Sequence, residues 1–164
     1  MPIQNQIILE LNKKNKDGDY PLLCAIYNNN IEIIKLLINY ANQHHIILEL
    51  NEKNYKGDYL LLKAISINNV EIVKLLIEYA NQHQIAFKLN EINMLGEYPL
   101  YAISRNDIEI FKLLIEYANQ HQIILELNEK NENGYYPLLE AIDYNNIDIV
   151  KLLIELENMP INIK

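Results

Sequence analysis

Apolar side chains recur along the chain with a helical period, and the pattern itself returns at a fixed interval. Ile33, Ile34, Leu37, Ile38 and Ala41 follow the i, i+3, i+4 spacing of a wide amphipathic stripe. The twelve residues from Lys74 to Ile85, KLLIEYANQHQI, are spelled again from Lys112 to Ile123. Near copies begin at Lys35 (KLLINYANQHHI) and Lys151 (KLLIELEN). Ahead of the first stripe stands a shorter apolar cluster, Leu22, Leu23, Ala25 and Ile26. Gly18, Gly57, Gly96 and Gly134 keep the same beat at steps of 39, 39 and 38 residues, and Asn12, Asn51, Asn90 and Asn128 follow it. A period in this range marks a solenoid, in which each unit buries its apolar face only against its neighbours.

Within a unit the punctuation predicts two helices. Pro21 suits a first helical turn, where its missing N–H costs nothing. Asn29, Asn68, Asn106 and Asn145 stand where the first helix must end, and Asn tolerates the left-handed conformation that ends one. Asn30, Asn69, Asp107 and Asn146 follow directly and are good N-caps for a second helix. Each unit therefore reads as a short helix, a tight turn, a longer helix and a connector containing Gly. Helix pairs are expected to begin near Pro21, Leu60, Pro99 and Pro137, with Ile34, Leu37, Val73, Leu76, Leu113, Leu114, Leu152 and Leu153 buried.

The segments GDYPLLCAI, GEYPLYAI and GYYPLLEAI, continued by IEIIKLLI and by ELN before the next Gly, resemble the ankyrin repeat with its T-P-L-H-x-A signature. The resemblance covers nearly the whole chain and implies an all-α ankyrin-type solenoid of four helix pairs. Tyr20, Tyr59, Tyr98 and Tyr136 stand where the family has Thr, so the hydroxyl that helps start the first helix is displaced or lost. Leu23, Leu62 and Leu139 replace the His, Asn replaces the inter-helix Gly, and Leu60 replaces the Pro of unit two. Unit three is one residue short between Gly96 and Ala102, which predicts a shortened first helix or a displaced Tyr101. The family's period is 33 residues, and the surplus of about six falls after the second helix, giving an enlarged inter-repeat connector. The expectation is helix to about Gln43, then a short extended segment. Units run over about 16–54, 55–93, 94–131 and 132–164, after a half repeat at 1–15, in a single domain of residues 1–164. Glu157, where earlier units have Ala41, Ala80 and Ala118, is expected to face water as in a terminal unit.

Composition narrows the class. Half of the 164 residues are apolar, so a sizeable core is expected. The net charge of −8, with no basic cluster, argues against nucleic acid, whose binding needs Lys and Arg to neutralise phosphates. No apolar run approaches a membrane span, no signal segment is visible, and Cys24 is the only cysteine. An intracellular, cytoplasmic location is the expectation.

The chemistry-bearing residues favour no reaction. His44, His83 and His121 share one repeat position, with His45 beside the first. Zinc ligands lie ~2 Å from one ion, whereas stacked helices lie ~8–10 Å apart, so such a ladder shares no metal. The serines Ser66 and Ser104 alternate with Tyr27 and Asp143, as at a variable surface site. Cys24 reads as a partly buried thiol of the first helix. The glycines are isolated and make no phosphate loop. Glu32/Lys35, Glu71/Lys74, Glu109/Lys112 and Asp148/Lys151 read as i, i+3 pairs on a solvated face. No catalytic residue, cofactor or metal is expected.

Binding remains. Positions that change between units cluster before each Gly (Lys16, Asp17; Tyr55, Lys56; Met94, Leu95; Glu132, Asn133) and after it (Asp19, Asp58, Glu97, Tyr135). They cluster again before the inter-helix Asn (Tyr27, Asn28; Ser66, Ile67; Ser104, Arg105; Asp143, Tyr144). In the family this chain resembles, hairpin tips and first helices line a concave surface that holds protein partners. Tyr, Met and Arg are enriched at interface centres. A non-catalytic protein-binding module is the expected function, its partner carrying a mixed or basic surface. A rigid spacer within a longer repeat protein, suggested by a first residue in mid-repeat, is the alternative.

Overall fold

The computed structural model describes residues 7–100 and 107–156. The described helices are α1 (Pro21–Tyr27), α2 (Ile31–Gln43), α3 (Leu60–Ser66), α4 (Val70–Gln82), α5 (Ile108–Gln120), α6 (Pro137–Asp143) and α7 (Ile147–Leu156). Pro99 and Leu100 are helical where the described part of unit three breaks off. No strand occurs among the described residues, so the IILELN segments form no central sheet. Helices α1 and α2, α3 and α4, and α6 and α7 pair within units. Helix α1 also packs on α3, while α2, α4, α5 and α7 stack in sequence. The architecture is an all-α solenoid.

The turn between paired helices is built as its asparagines predict. Asn29, Asn68 and Asn145 adopt φ of 50°, 57° and 53°, the left-handed region. The next residue then caps the longer helix: Asn30 accepts from the Ile33 N–H at 3.0 Å, Asn69 from Ile72 at 3.1 Å and Asn146 from Ile149 at 3.1 Å. Asp107 accepts from both Glu109 and Ile110. Helices α2, α4 and α5 each run 13 residues and stop at Gln43, Gln82 and Gln120. His45, Gln84 and Gln122 turn left-handed there, with φ of 56°, 55° and 55°. The following N–H groups of Ile46, Ile85 and Ile123 return to Ala41, Ala80 and Ala118, a Schellman-type stop.

The connector then alternates inward and outward. Leu48 and Leu50 are buried while Ile47 and Glu49 are exposed, and Phe87 and Leu89 repeat the inward positions. Asn12, Asn51 and Asn90 clamp each connector to the next. Each side-chain amide donates to a carbonyl one unit on, at Ile47, Ala86 and Ile124, over 2.7–2.9 Å. The same side chains accept from Glu49, Lys88 and Glu126.

Tyrosine at the start of the first helix does a different job from threonine. Tyr20, Tyr59 and Tyr136 occupy the N-cap but make no side-chain cap. The hydroxyls of Tyr20, Tyr59 and Tyr98 point across the stack: Tyr20 donates to the Glu52 carbonyl at 3.1 Å and Tyr98 to that of Glu129 at 3.2 Å. Tyr59 reaches the carbonyls of Lys88 and Glu91.

Two expectations need correction. Leu37, Leu113 and Leu152 are only half-buried, whereas Ile34, Val73, Leu76, Leu114 and Leu153 are buried. In α4, α5 and α7 the second leucine of the K-L-L run enters the core, because that edge of the stripe meets the neighbouring helix pair. In α2 no helix covers that edge among the described residues, so Ile33 is 43% exposed where its counterpart Ile72 is fully buried. The charged pairs also differ. Lys35 lies 4.0 Å from Glu32 but 2.9 Å from Glu71, and Lys74 bonds Glu109 at 2.5 Å. The Glu32–Lys35 pair thus runs i, i+3 only at the limit of ion-pair distance, and the shorter bonds join units.

Candidate partner-binding surface

Each hairpin tip is organised by an asparagine that the sequence reading passed over. Asn15 Oδ1 accepts from the N–H groups of Asp17 and Asp19, and Asn54, Asn93 and Asn131 repeat the arrangement. The signal was present, since these residues hold the same 39, 39, 38 beat three positions before each Gly. Adjacent tips are bonded through their backbones: Tyr55 N–H donates to Asp17 at 3.1 Å and Met94 N–H to Lys56 at 3.0 Å.

The variable residues divide into two groups on this frame. Tyr27, Asp19 and Asp58 are tied into the stack. The Tyr27 hydroxyl donates to Asp58 at 2.9 Å and accepts from Asn54, whose amide also donates to Asp19 at 2.7 Å. Burial, then the Asp58 carboxylate, pushes the Tyr27 phenol well above its ordinary pKa. Lys63 stands over the same ring, 4.6 Å from its centre. Tyr135 bonds Asp143, which together with the carboxylate's charge raises its phenol. Asn93 donates to Asp58 and Glu97, so the Glu97 carboxylate is engaged too.

The second group is open to water. Tyr55 is 73% exposed, and Met94 and Leu95 are each 67% exposed, on neighbouring tips. Lys16, Asp17, Asn28, Lys56, Ser66, Glu132, Asn133, Asp143 and Tyr144 are also exposed, and Ile67 is half-buried. Ser104 and Arg105 lie outside the described residues, as do Glu157, Tyr101 and the rest of unit three's first helix beyond Leu100, so the expected shortening or displacement there falls outside them too.

The reactive side chains have ordinary structural duties. His83 pairs with Asn42 at 3.0 Å and His121 with Asn81 at 2.8 Å, one unit apart, while Tyr40, Tyr79 and Tyr117 lie against the rings of His44, His83 and His121. Among the described residues no three His, Cys, Asp or Glu side chains converge as a metal site. Ser66 donates back into its own helix at Lys63. Cys24 is half-buried, and burial followed by the Asp19 charge raises its thiol pKa, which disfavours the nucleophilic thiolate. Among the described residues no helix is long and apolar enough to cross a membrane.

Helix pairs stacked on a fixed beat, with turn tips bonded side by side, define a helical repeat solenoid of the interaction-module type. The chain matches the family model described as ankyrin repeats (3 copies) over residues 3–86 and again over 81–164. It belongs to the ankyrin repeat family, whose members are in general protein–protein interaction modules and typically non-enzymatic. No curated protein matches the chain.

Proposed function

We propose that the chain is a non-catalytic module that holds a protein partner on the surface made by its hairpin tips and first helices. The exposed cluster of Tyr55, Met94 and Leu95 carries this reading. These large apolar side chains stand on tips whose backbones are pinned by Asn54 and Asn93, so they are presented without loss of chain entropy on binding. The net charge of −8 favours a partner with a mixed or basic surface. The whole chain acts as one domain, its units stepping as the glycines do, and it works inside the cell without cofactor, metal, nucleic acid or membrane. Binding titrations against a partner recovered from extract test the assignment. Tyr55→Ala and Met94→Ala should each weaken binding by ~1–2 kcal/mol, as central anchors do. Lys74→Ala and Lys112→Ala, on the second helices, should change it little, because exposed ion pairs contribute little. Equal losses on both faces would refute the surface, and absence of any partner would favour a spacer.

A further inference from the structure

Between successive connectors the molecule uses a lysine ammonium twice in the same way. Lys14 Nζ lies 2.6 Å from the Glu52 carboxylate and 3.1 Å from the Lys53 carbonyl. One unit on, Lys53 Nζ lies 2.6 Å from the Glu91 carboxylate and 2.9 Å from the Ile92 carbonyl. It also stands 5.9 Å from the centre of the Tyr59 ring. Carboxylate, backbone carbonyl and aromatic face together make a site for a primary ammonium.

The third junction keeps the receptor and lacks the lysine. Repeat spacing puts Ile92 where Lys14 and Lys53 stand, Glu129 where Glu52 and Glu91 stand, the Lys130 carbonyl where those of Lys53 and Ile92 stand, and Tyr98 where Tyr59 stands. An open cleft of about 190 Å³ occupies this junction, lined by Asn90, Ile92, Tyr98, Glu126, Glu129 and Lys130. Glu126 adds a second carboxylate at the position of Lys88, which pairs with Glu91 in the junction before. Neither Glu126 nor Glu129 has an ion-pair partner among the described residues. The cleft therefore combines two carboxylates with an aromatic wall, and Lys130, which also lines it, makes no ion pair with either acid.

We infer that this cleft is a receptor for a lysine side chain of another protein, which supplies in trans the ammonium that Lys14 and Lys53 supply in cis. The stem of the incoming lysine lies along Ile92, whose exposed side chain offers an apolar wall beside the acids. Its ammonium meets Glu129, with Glu126 reinforcing the negative field. The site is separate from the exposed tip cluster in composition and does not depend on it.

The test is a backbone-amide NMR titration of the full chain with Nα-acetyl-lysine N-methylamide. The norleucine analogue, which keeps the stem and removes the charge, is the control. The lysine compound should give saturable shifts confined to residues 90–98 and 126–130, and the norleucine compound none. Glu129→Gln should weaken binding at least about tenfold, the loss expected of a charge-assisted bond. Ile92→Lys should abolish binding by filling the site in cis, with the spectrum otherwise unchanged. Equal response to both compounds, or an undiminished response in Glu129→Gln, would overturn the inference. So would shifts there from calcium chloride and none from the lysine compound, which would make the cleft a divalent-cation site.

Discussion

A Cβ placed on Gly57 would stand 2.9 Å from the Cα of Asn93, closer than real side chains approach a backbone. The tip of one unit is thus pressed against the next, and Gly57 also adopts φ +77°. Gly134 shares the left-handed conformation at φ +80° but has nothing within 4 Å of its Cβ position. The pair separates two costs. Gly134→Ala should lose about 1 kcal/mol, the strain alone, whereas Gly57→Ala should lose about 3 kcal/mol, since the neighbouring backbone must also move. Denaturant midpoints of the two variants measure this, and equal losses would mean that the close approach contributes nothing.

Position in the stack should matter as much as residue type. Leu76 and Leu37 hold the same repeat position, yet Leu76 is fully buried between units and Leu37 is half-buried on α2. Leu76→Ala should cost about 3 kcal/mol and Leu37→Ala about 1 kcal/mol. Urea unfolding followed by circular dichroism checks the ratio, and a larger loss at Leu37 would contradict the stacking described for α2.

The parts of this architecture legible from sequence are those settled within a dozen residues. The left-handed Asn29 and the capping Asn30 act on their own turn, so composition and spacing suffice to place them. What escaped lies one unit away in the chain. The Lys35–Glu71 pair, the Tyr59 hydroxyl on the Glu91 carbonyl and the burial of Leu114 in preference to Leu113 are all contacts between neighbouring units. A single helix's periodicity locates the centre of its apolar stripe but not which edge a neighbour covers. The candidate surface was half legible for the same reason. Variation between units picked out the exposed Tyr55 and Met94, and also picked out Tyr27, whose hydroxyl is tied into the stack by its bond to Asp58.

Alkali should unfold the stack in a defined window. Burial drives the phenols of Tyr20 and Tyr59 far above the ordinary value, and the carboxylates of Glu52 and Glu91 add to the shift. Tyr79 and Tyr117 shift the same way, chiefly by burial. A raised phenol pKa means that the native state holds its proton where the unfolded chain has lost it. Stability is therefore fully present below the unfolded pKa of about 10 and falls progressively above it. Phenolate absorbance from Tyr20, Tyr59, Tyr79 and Tyr117 should rise only with loss of helix. Simultaneous titration of all tyrosines with the helices intact would show that these rings are accessible.

The variable surface should split into residues that hold the fold and residues that do not. Tyr27 is half-buried, donates to Asp58, accepts from Asn54 and receives the Lys63 ammonium on its ring. Tyr55 is 73% exposed, and its backbone N–H donates to Asp17, a bond that any side chain leaves in place. Tyr27→Phe removes one hydroxyl from a half-buried network and strands both the Asp58 oxygen and the Asn54 N–H that it served. The expected loss of folding stability is ~1–2 kcal/mol. Tyr55→Ala should change stability by no more than about 0.5 kcal/mol, as exposed substitutions do. A double variant, Tyr27→Phe with Asp58→Asn, should lose less than the sum of the two single changes, because both remove the same bond. Thermal or urea unfolding of the parent, Tyr27→Phe, Asp58→Asn, the double variant and Tyr55→Ala decides it. Additive losses would show that the Tyr27–Asp58 bond does not couple the first two units, and a loss at Tyr55 equal to that at Tyr27 would erase the division between scaffold and binding residues.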